Sequence, residues 1–334
     1  MKRGIVIGKF YPPHLGHNYL IDTAIRNCDE VTVLVCDNPA YHIPASLRAS
    51  WLSSHHPSAH VRIIPDLIGD DDNSPAWALH TLRFLGYTPD VVYSSEAYGK
   101  PWAEAMGCAH VDVDIPRLTV PISGTKVRKD ILASWDYLSD ETKAGLAIRI
   151  VVIGAESTGT TTLSHDLAKA LGVPWVPEIG RYYTESLLTH NGSTHHDDFV
   201  AAEWNANDFH NIGRLQQQYE NTFAARSDGV IVCDTNATAT EVWQRRYMDK
   251  NTPEMKTIAG KDKVDLYIIT GDEIPFVQDG GRDGEHIRHT MHKWFVRRVR
   301  QSGVPYMIVT GSRDKRLRLA ILQARAAIAK ARSI

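Results

Sequence analysis

The sequence predicts an α/β protein of two domains, each a parallel sheet with helices on both faces. Short apolar strand candidates alternate with longer stretches of helical spacing, the pattern of βαβ units. The pattern runs once, pauses and restarts, each time with a glycine-rich turn between its first strand and first helix. At 334 residues the chain is also long for a single core.

In the first half, strands are read at 4–7, 31–36, 61–64 and 91–94, and helical spacing at 18–27, 46–54, 76–86 and 127–134. The polar stretch 139–145 closes this half, giving domains over 1–144 and 145–334. The second half opens with a strand at 148–153 and an amphipathic segment at 160–171, followed by strands at 229–233, 266–270 and 306–310. Residues 315–332 read as a basic, alanine-rich helix packed on the second sheet.

Composition narrows the function classes. The chain is 43% hydrophobic and 23% charged, ordinary values for a soluble protein. A net charge of -2 predicts neither a nucleic-acid nor a membrane surface. No stretch has the make-up of a signal peptide or the length of a membrane span. Cys28, Cys36, Cys108 and Cys233 form no Cys-x-x-Cys pair, which argues for a reduced, cytoplasmic protein. Assembly into a homo-oligomer is left open.

The stretch Gly8-Lys-Phe-Tyr-Pro-Pro-His-Leu-Gly-His17 joins a strand to a helix. Such a turn sets backbone N–H groups and a positive helix end against a phosphate. His14 and His17, three apart, point the same way in a first helical turn. Two imidazoles so placed indicate phosphate chemistry without a protein nucleophile. About one hundred residues on, Ser123 is a good N-cap before a basic turn in which Thr125, Lys126 and Arg128 can hold phosphate oxygens. Alone, that is an ordinary capped helix; paired with Gly8–His17 it becomes specific.

Gly154-Ala-Glu-Ser-Thr-Gly159 follows the second domain's first strand and looks like a P-loop, whose N–H groups cradle phosphates. The usual sequel is Lys then Ser or Thr; here it is Thr160-Thr161, so the lysine's charge is missing while Thr161 can still offer a hydroxyl to Mg²⁺. A strand over 230–234 ends in Asp234, as a metal-binding carboxylate would. His286, His289 and His292 lack a carboxylate or thiol to complete a metal set, and the pairs His55-His56 and His195-His196 are given no role.

The two first-domain motifs, with Arg48, Trp51, Trp77, the run Tyr93-Ser94-Ser95-Glu96 and Asp114-Ile115-Pro116-Arg117, resemble the nucleotidyltransferases that transfer AMP or CMP. From Lys2 to about Val309 the chain is similar to the NadR-type bifunctional family: an adenylyltransferase for nicotinamide mononucleotide (NMN), of Rossmann-like fold, followed by a P-loop kinase for nicotinamide riboside. The resemblance implies that NMN phosphate attacks the α-phosphorus of ATP, giving NAD and pyrophosphate. His14 and His17 would bind the ATP phosphates, His17 at the transferred group; Lys9, Lys126 and Arg128 would neutralise the rest, with Mg²⁺ bridging oxygens. Phe10, Ser123 and Thr125 would belong to the nucleotide site, Gly8 and Gly16 would let backbone approach the nucleotide, Arg48 and Arg117 would face substrate, and Trp51 and Trp77 would line a nicotinamide pocket.

In the second domain the resemblance implies a nucleotide cradle of Gly154, Ser157, Thr158, Gly159, Thr160, Thr161 and Thr162, with Mg²⁺ on Thr161 and Asp234. Glu178-Ile179-Gly180-Arg181 resembles a segment beside the nucleoside pocket, and Asp279-Gly280-Gly281-Arg282 a lid, with Arg288 just beyond. Arg181 or a lid arginine would replace the missing lysine, and Asn236 stands where several relatives carry a second Asp. ATP, NMN, nicotinamide riboside and NAD are the expected small molecules. Because the chain starts at its first strand, no helix-turn-helix and no DNA binding are expected. Three alternatives stay open: a P-loop domain that only binds nucleotide, a different phosphorylated acceptor, and a non-enzymatic nucleotide sensor.

Overall fold

A computed structural model describes residues 1–68, 73–190, 204–277 and 284–333. The chain forms two units, Met1–Lys143 with Arg332–Ile334, and Ala144–Ala331.

The first unit runs β1 Arg3–Gly8, α1 Leu15–Asn27, β2 Glu30–Asp37, α2 Ala45–His55, β3 His60–Pro65, α3 Ser74–Leu85, β4 Val91–Ser94, α4 Gly99–Met106, β5 Ala109–Asp112 and α5 Gly124–Lys129. Its sheet is parallel, in the order β3-β2-β1-β4-β5. The central strands read as unbroken apolar runs because both faces are covered, yet the two-residue period still sorts them. Val6, Val31, Val33 and Val35 pack with Leu20, Ile21 and Ala24 of α1 and Leu52 of α2. Ile5, Ile7, Leu34 and Cys36 pack on the other face with Trp77 of α3 and Trp102 of α4.

The helix expected over 127–134 is broken. Asp130 is extended, and its Oδ1 accepts from the Ala133 N–H, which starts a separate 3-10 turn at Leu132–Tyr137. The polar stretch after it is helical, α6 Asp140–Leu146, and the division between units falls inside it.

The second unit runs β6 Ile148–Ile153, α7 Thr160–Leu171, β7 Trp175–Val176, α8 Ile179–His190, α9 Ala206–Ala225, β8 Val230–Asp234, α10 Ala237–Met248, α11 Pro253–Ala259, β9 Leu266–Thr270, α12 Arg288–Ser302, β10 Tyr306–Val309 and α13 Arg313–Ala331. This sheet is also parallel, in the order β10-β9-β6-β8-β7. The predicted α/β class and parallel sheets are borne out. In each sheet the order reverses beside the first strand, so the loops after β1 and β6 open at a switch point, where ligands bind in such folds.

Candidate active sites

The loop from β1 to α1 is shaped by its own side chains. Phe10 adopts a left-handed backbone (φ 44°) and tucks its ring inside, edge-on to His17 at 5.0 Å between centroids. A Cβ on Gly8 would lie 3.3 Å from the Phe10 ring, and one on Gly16 3.1 Å from the His14 ring. At both positions a side chain would crowd these rings of the protein.

His14 caps α1, and the two histidines satisfy each other. The His17 N–H donates to His14 Nδ1 and the His14 N–H to His17 Nδ1, both at 3.3 Å, with the rings stacked 3.6 Å apart. An imidazole whose Nδ1 accepts carries its proton on Nε2. Both rings therefore present an Nε2–H donor, and that of His14 is buried without a partner. A buried donor left unpaired is costly, and an oxygen of a bound anion satisfies it. Burial, then the charges of Arg117 and Arg128, push His14 down to about 3; burial, His14 and Arg117 hold His17 well below the ordinary imidazole range. At neutral pH the pair is uncharged and acts through hydrogen bonds.

The same shift has a consequence for stability. Below the ordinary value of 6.5 the unfolded chain takes up a proton that folded His14 refuses. Stability is complete above that pH and falls as pH drops towards 3, by about 1.4 kcal/mol per pH unit for one such group. Urea melts between pH 7 and 4 should be steeper in pH for the native protein than for His14→Asn; equal slopes would show that this ring is not held neutral.

The second motif is fastened to the first. Asp114 (φ 48°) accepts from the N–H groups of Leu118, Thr119 and Val120, which holds its carboxylate below the usual range. Arg117 donates to Ile122 O and Glu96 Oε1, both at 2.6 Å. These bonds deliver Ser123, whose Oγ caps α5 by accepting from Lys126 N at 3.3 Å. Arg128 reaches back to Tyr11 O at 2.6 Å and to Thr125 Oγ1 at 3.1 Å, so α5 lies against the β1–α1 loop. Thr125, Lys126 and Lys9 are exposed.

Arg48 takes a different place from the one its resemblance implies. It is wholly buried and donates to the carbonyls of Ile43 (2.9 Å), Cys36 (3.0 Å) and Lys9. Its guanidinium braces the loop's main chain and offers no surface to a substrate. Trp51 and Trp77 are also buried, and Trp77 belongs to the apolar cluster under α3 and α4, so both have packing roles.

In the second unit the glycine-rich loop follows β6. A Cβ on Gly154 would fall 2.1 Å from Thr270 Oγ1, so only glycine fits there. Ser157 (φ 57°) and Gly159 (φ 81°) take left-handed turns. The Thr158 hydroxyl is buried between Ala155 O and Thr270 Oγ1, both at 2.6 Å, so its side chain shapes the loop from within. Two buried arginines hold the loop's carbonyls from outside. Arg288 donates to Ser157 O (3.0 Å) and Ile274 O (2.7 Å); Arg316 donates to Thr158 O (2.8 Å) and Glu273 Oε1 (2.7 Å). Arg288 is thus a brace where a substrate contact was expected, and Arg316 escapes sequence reading as one basic residue among many on α13.

The loop opens onto a pocket lined by Thr160, Thr161, Thr162, Glu178, Arg181 and Asp234. Asp234, at the end of β8, accepts from the hydroxyls of Thr161 and Thr160, yet burial and Glu178 lift it to about 7. Desolvation likewise raises Glu178. Closely set carboxylates with this much resistance to ionisation favour a cation between them. The hard oxygens of Asp234 and Thr161 fit Mg²⁺.

Sequence reading missed the pocket's aromatic wall. Trp204 lies 5.1 Å from Phe209 and 5.6 Å from Tyr247, and Tyr247 stacks on Trp243 at 6.2 Å. The available signal was Trp243 and Tyr247, one turn apart on the helix that follows Asp234. Asn236 is a structural cap: its Oδ1 accepts from Ala239 N and its Nδ2 donates to Tyr267 OH. His289 pairs with Asp272, and no cluster of three His, Cys, Asp or Glu groups fit for a metal occurs among the described residues. Arg282, the other lid positions 279–281 and the pair His195-His196 lie outside those residues.

Residues 149–316, half of the chain, match the AAA domain model. The chain belongs to the AAA domain family. Its AAA domain carries the glycine-rich loop, Asp234 and the aromatic wall. The chain is homologous to the protein named trifunctional NAD biosynthesis/regulator protein NadR of Escherichia coli K12, at 27% identity over 304 residues, 84% of this chain and 71% of that one. A nicotinamide-nucleotide adenylyltransferase of Methanoculleus marisnigri is 29% identical over 152 residues, 41% of this chain and 85% of that one. A crystal structure of a NadR protein with NAD and AMP-PNP shares the fold of AAA domain and first unit alike: TM-score 0.68 at 20% identity, covering 100% of this chain and 97% of that one. No described helix is long and apolar enough to cross a membrane.

Proposed function

We propose that the chain is a bifunctional enzyme of NAD biosynthesis. The first unit transfers AMP from ATP to NMN, and the AAA domain phosphorylates nicotinamide riboside to NMN. The observation that carries the first assignment is the reciprocal His14–His17 cap, which leaves two neutral Nε2–H donors, one buried and unpaired, at the mouth of a nucleotide-binding switch point. Homology to NadR and to the adenylyltransferase supports it.

In that reaction an NMN phosphate oxygen attacks the α-phosphorus, the bond to the bridging oxygen breaks, and pyrophosphate leaves. No proton need move and no protein nucleophile is required, so catalysis is alignment plus hydrogen bonding to the α-phosphoryl oxygens as charge shifts to the leaving group. His17 takes the transferred group; Lys9, Lys126 and Arg128 face the pyrophosphate. In the AAA domain the aromatic wall suits a cationic nicotinamide ring, which the carboxylates nearby also attract. Glu178 accepts the proton of the attacking hydroxyl. Mg²⁺ on Asp234 and Thr161 would supply positive charge to the transferred phosphoryl.

Purified protein with ATP and Mg²⁺ tests both halves. NMN should yield NAD and pyrophosphate, and nicotinamide riboside should yield NMN and ADP. Failure of the first reaction removes the adenylyltransferase; NAD formation from NMN with no ADP from the riboside reduces the AAA domain to a nucleotide-binding module.

A further inference from the structure

The AAA domain's phosphate loop places Thr160 where a lysine ordinarily meets the donor's phosphates. The surroundings deepen the deficit. Glu156, Glu178, Glu185 and Asp234 all line the pocket, and burial resists ionisation of Asp234. A nucleoside triphosphate brings several further negative charges to this spot, more than one Mg²⁺ balances. The Thr160 hydroxyl does not make up the loss, since it donates to Asp234.

Among the described residues, three arginines other than Arg181 are near the loop, and each is committed. Arg288 and Arg316 are buried on carbonyls of Ser157 and Thr158. Arg246 pairs with Glu156 at 3.3 Å and lies against the rings of Trp243 and Tyr247, behind the pocket lining. Arg181 differs. It is exposed in the first turn of α8, it is the one basic side chain lining the pocket among the described residues, and it is near enough to Glu178 and Asp234 to oppose their rise in pKa. We infer that Arg181 supplies from α8 the phosphate-binding charge that the loop has lost at Thr160.

The inference rests on the kinase reading above. The step is the transfer of the γ-phosphoryl of ATP to a hydroxyl of nicotinamide riboside: the bond from the γ-phosphorus to the β,γ-bridging oxygen breaks, a bond to the hydroxyl oxygen forms, the hydroxyl proton passes to Glu178, and ADP leaves. Arg181 donates to the phosphate oxygens on which charge accumulates. An arginine can do so through two N–H groups at once, where a loop lysine acts as a point charge.

The test is a double-mutant cycle on the full chain. Arg181→Met should lower kcat/KM for ADP formation from nicotinamide riboside and ATP by about 10²-fold or more, the usual effect of removing a transition-state donor. Thr160→Lys placed in that variant should restore most of the loss, because it returns the charge from the loop side; a residue with a merely structural role would not be rescued so. Arg246→Met should show no comparable rescue. If Thr160→Lys fails to rescue Arg181→Met, or rescues Arg246→Met instead, the assignment is overturned. Calorimetric binding of inorganic tripolyphosphate to the same proteins, in all of which the first unit is unchanged, decides the point without turnover: affinity should fall in Arg181→Met and return in the double variant. Native protein that binds but does not phosphorylate the riboside would sink the kinase reading while the binding arm still judges Arg181; equal tripolyphosphate affinity in all variants would sink Arg181.

Discussion

His17→Ala should lower NAD formation from NMN and ATP by about 10²- to 10³-fold, the range seen when one preorganised donor to a developing charge is removed. The loss should fall on kcat more than on the KM for NMN, because the ring's Nε2–H serves the phosphoryl in transit. ADP formation from nicotinamide riboside should be unchanged, since that chemistry belongs to a different unit with its own loop and acid. His17 also accepts the His14 N–H, so part of the damage is a lost cap. His17→Asn, which can keep an acceptor near that N–H, separates the two contributions: if it restores thermal stability but not NAD formation, the ring's donor is what matters. Equal loss of both activities in His17→Ala would mean that the two-site arrangement is wrong.

Arg48→Met should destabilise the first unit by about 3–5 kcal/mol, the cost typical of breaking a buried charged network. Three carbonyls, of Lys9, Cys36 and Ile43, lose this donor at once. Arg48→Lys should recover only a fraction, because a point charge cannot meet three acceptors in a fan. Urea denaturation followed by the first unit's signal measures the loss. Stability within about 0.5 kcal/mol of the native protein, together with a raised KM for NMN, would return Arg48 to the substrate.

What the sequence made legible follows from where each signal comes from. Strands β1, β2, β4, β6, β8 and β9 declare themselves because each carries a run of buried apolar residues. The edge strands β5 and β7 do not: Ala109–Asp112 is largely exposed, and Trp175–Val176 is two residues long. The same holds at the sites. His14, His17, Ser123 and the glycine-rich loop are contiguous motifs with local geometry, so spacing finds them. Arg48 and Arg288 are also visible in sequence, but whether an arginine meets a substrate or a carbonyl is decided by tertiary burial. The aromatic wall joins Trp204 and Phe209 to Trp243 and Tyr247 of α10, and Arg316 crosses from the last helix; the spacing of Trp243 and Tyr247 is the one local hint, and the convergence itself is tertiary.

That crossing also orders events in time. The loop's carbonyls at Ser157 and Thr158 are held by side chains 131 and 158 residues further along. A nascent chain that has emerged only as far as β10 holds the phosphate loop and Arg288 but lacks Arg316, the second half of the clamp. The loop of the kinase half is therefore fully clamped only once Arg316 has been made, long after the residues up to Lys143 are available. A frameshift ahead of Arg316 would leave the phosphate loop without this clamp.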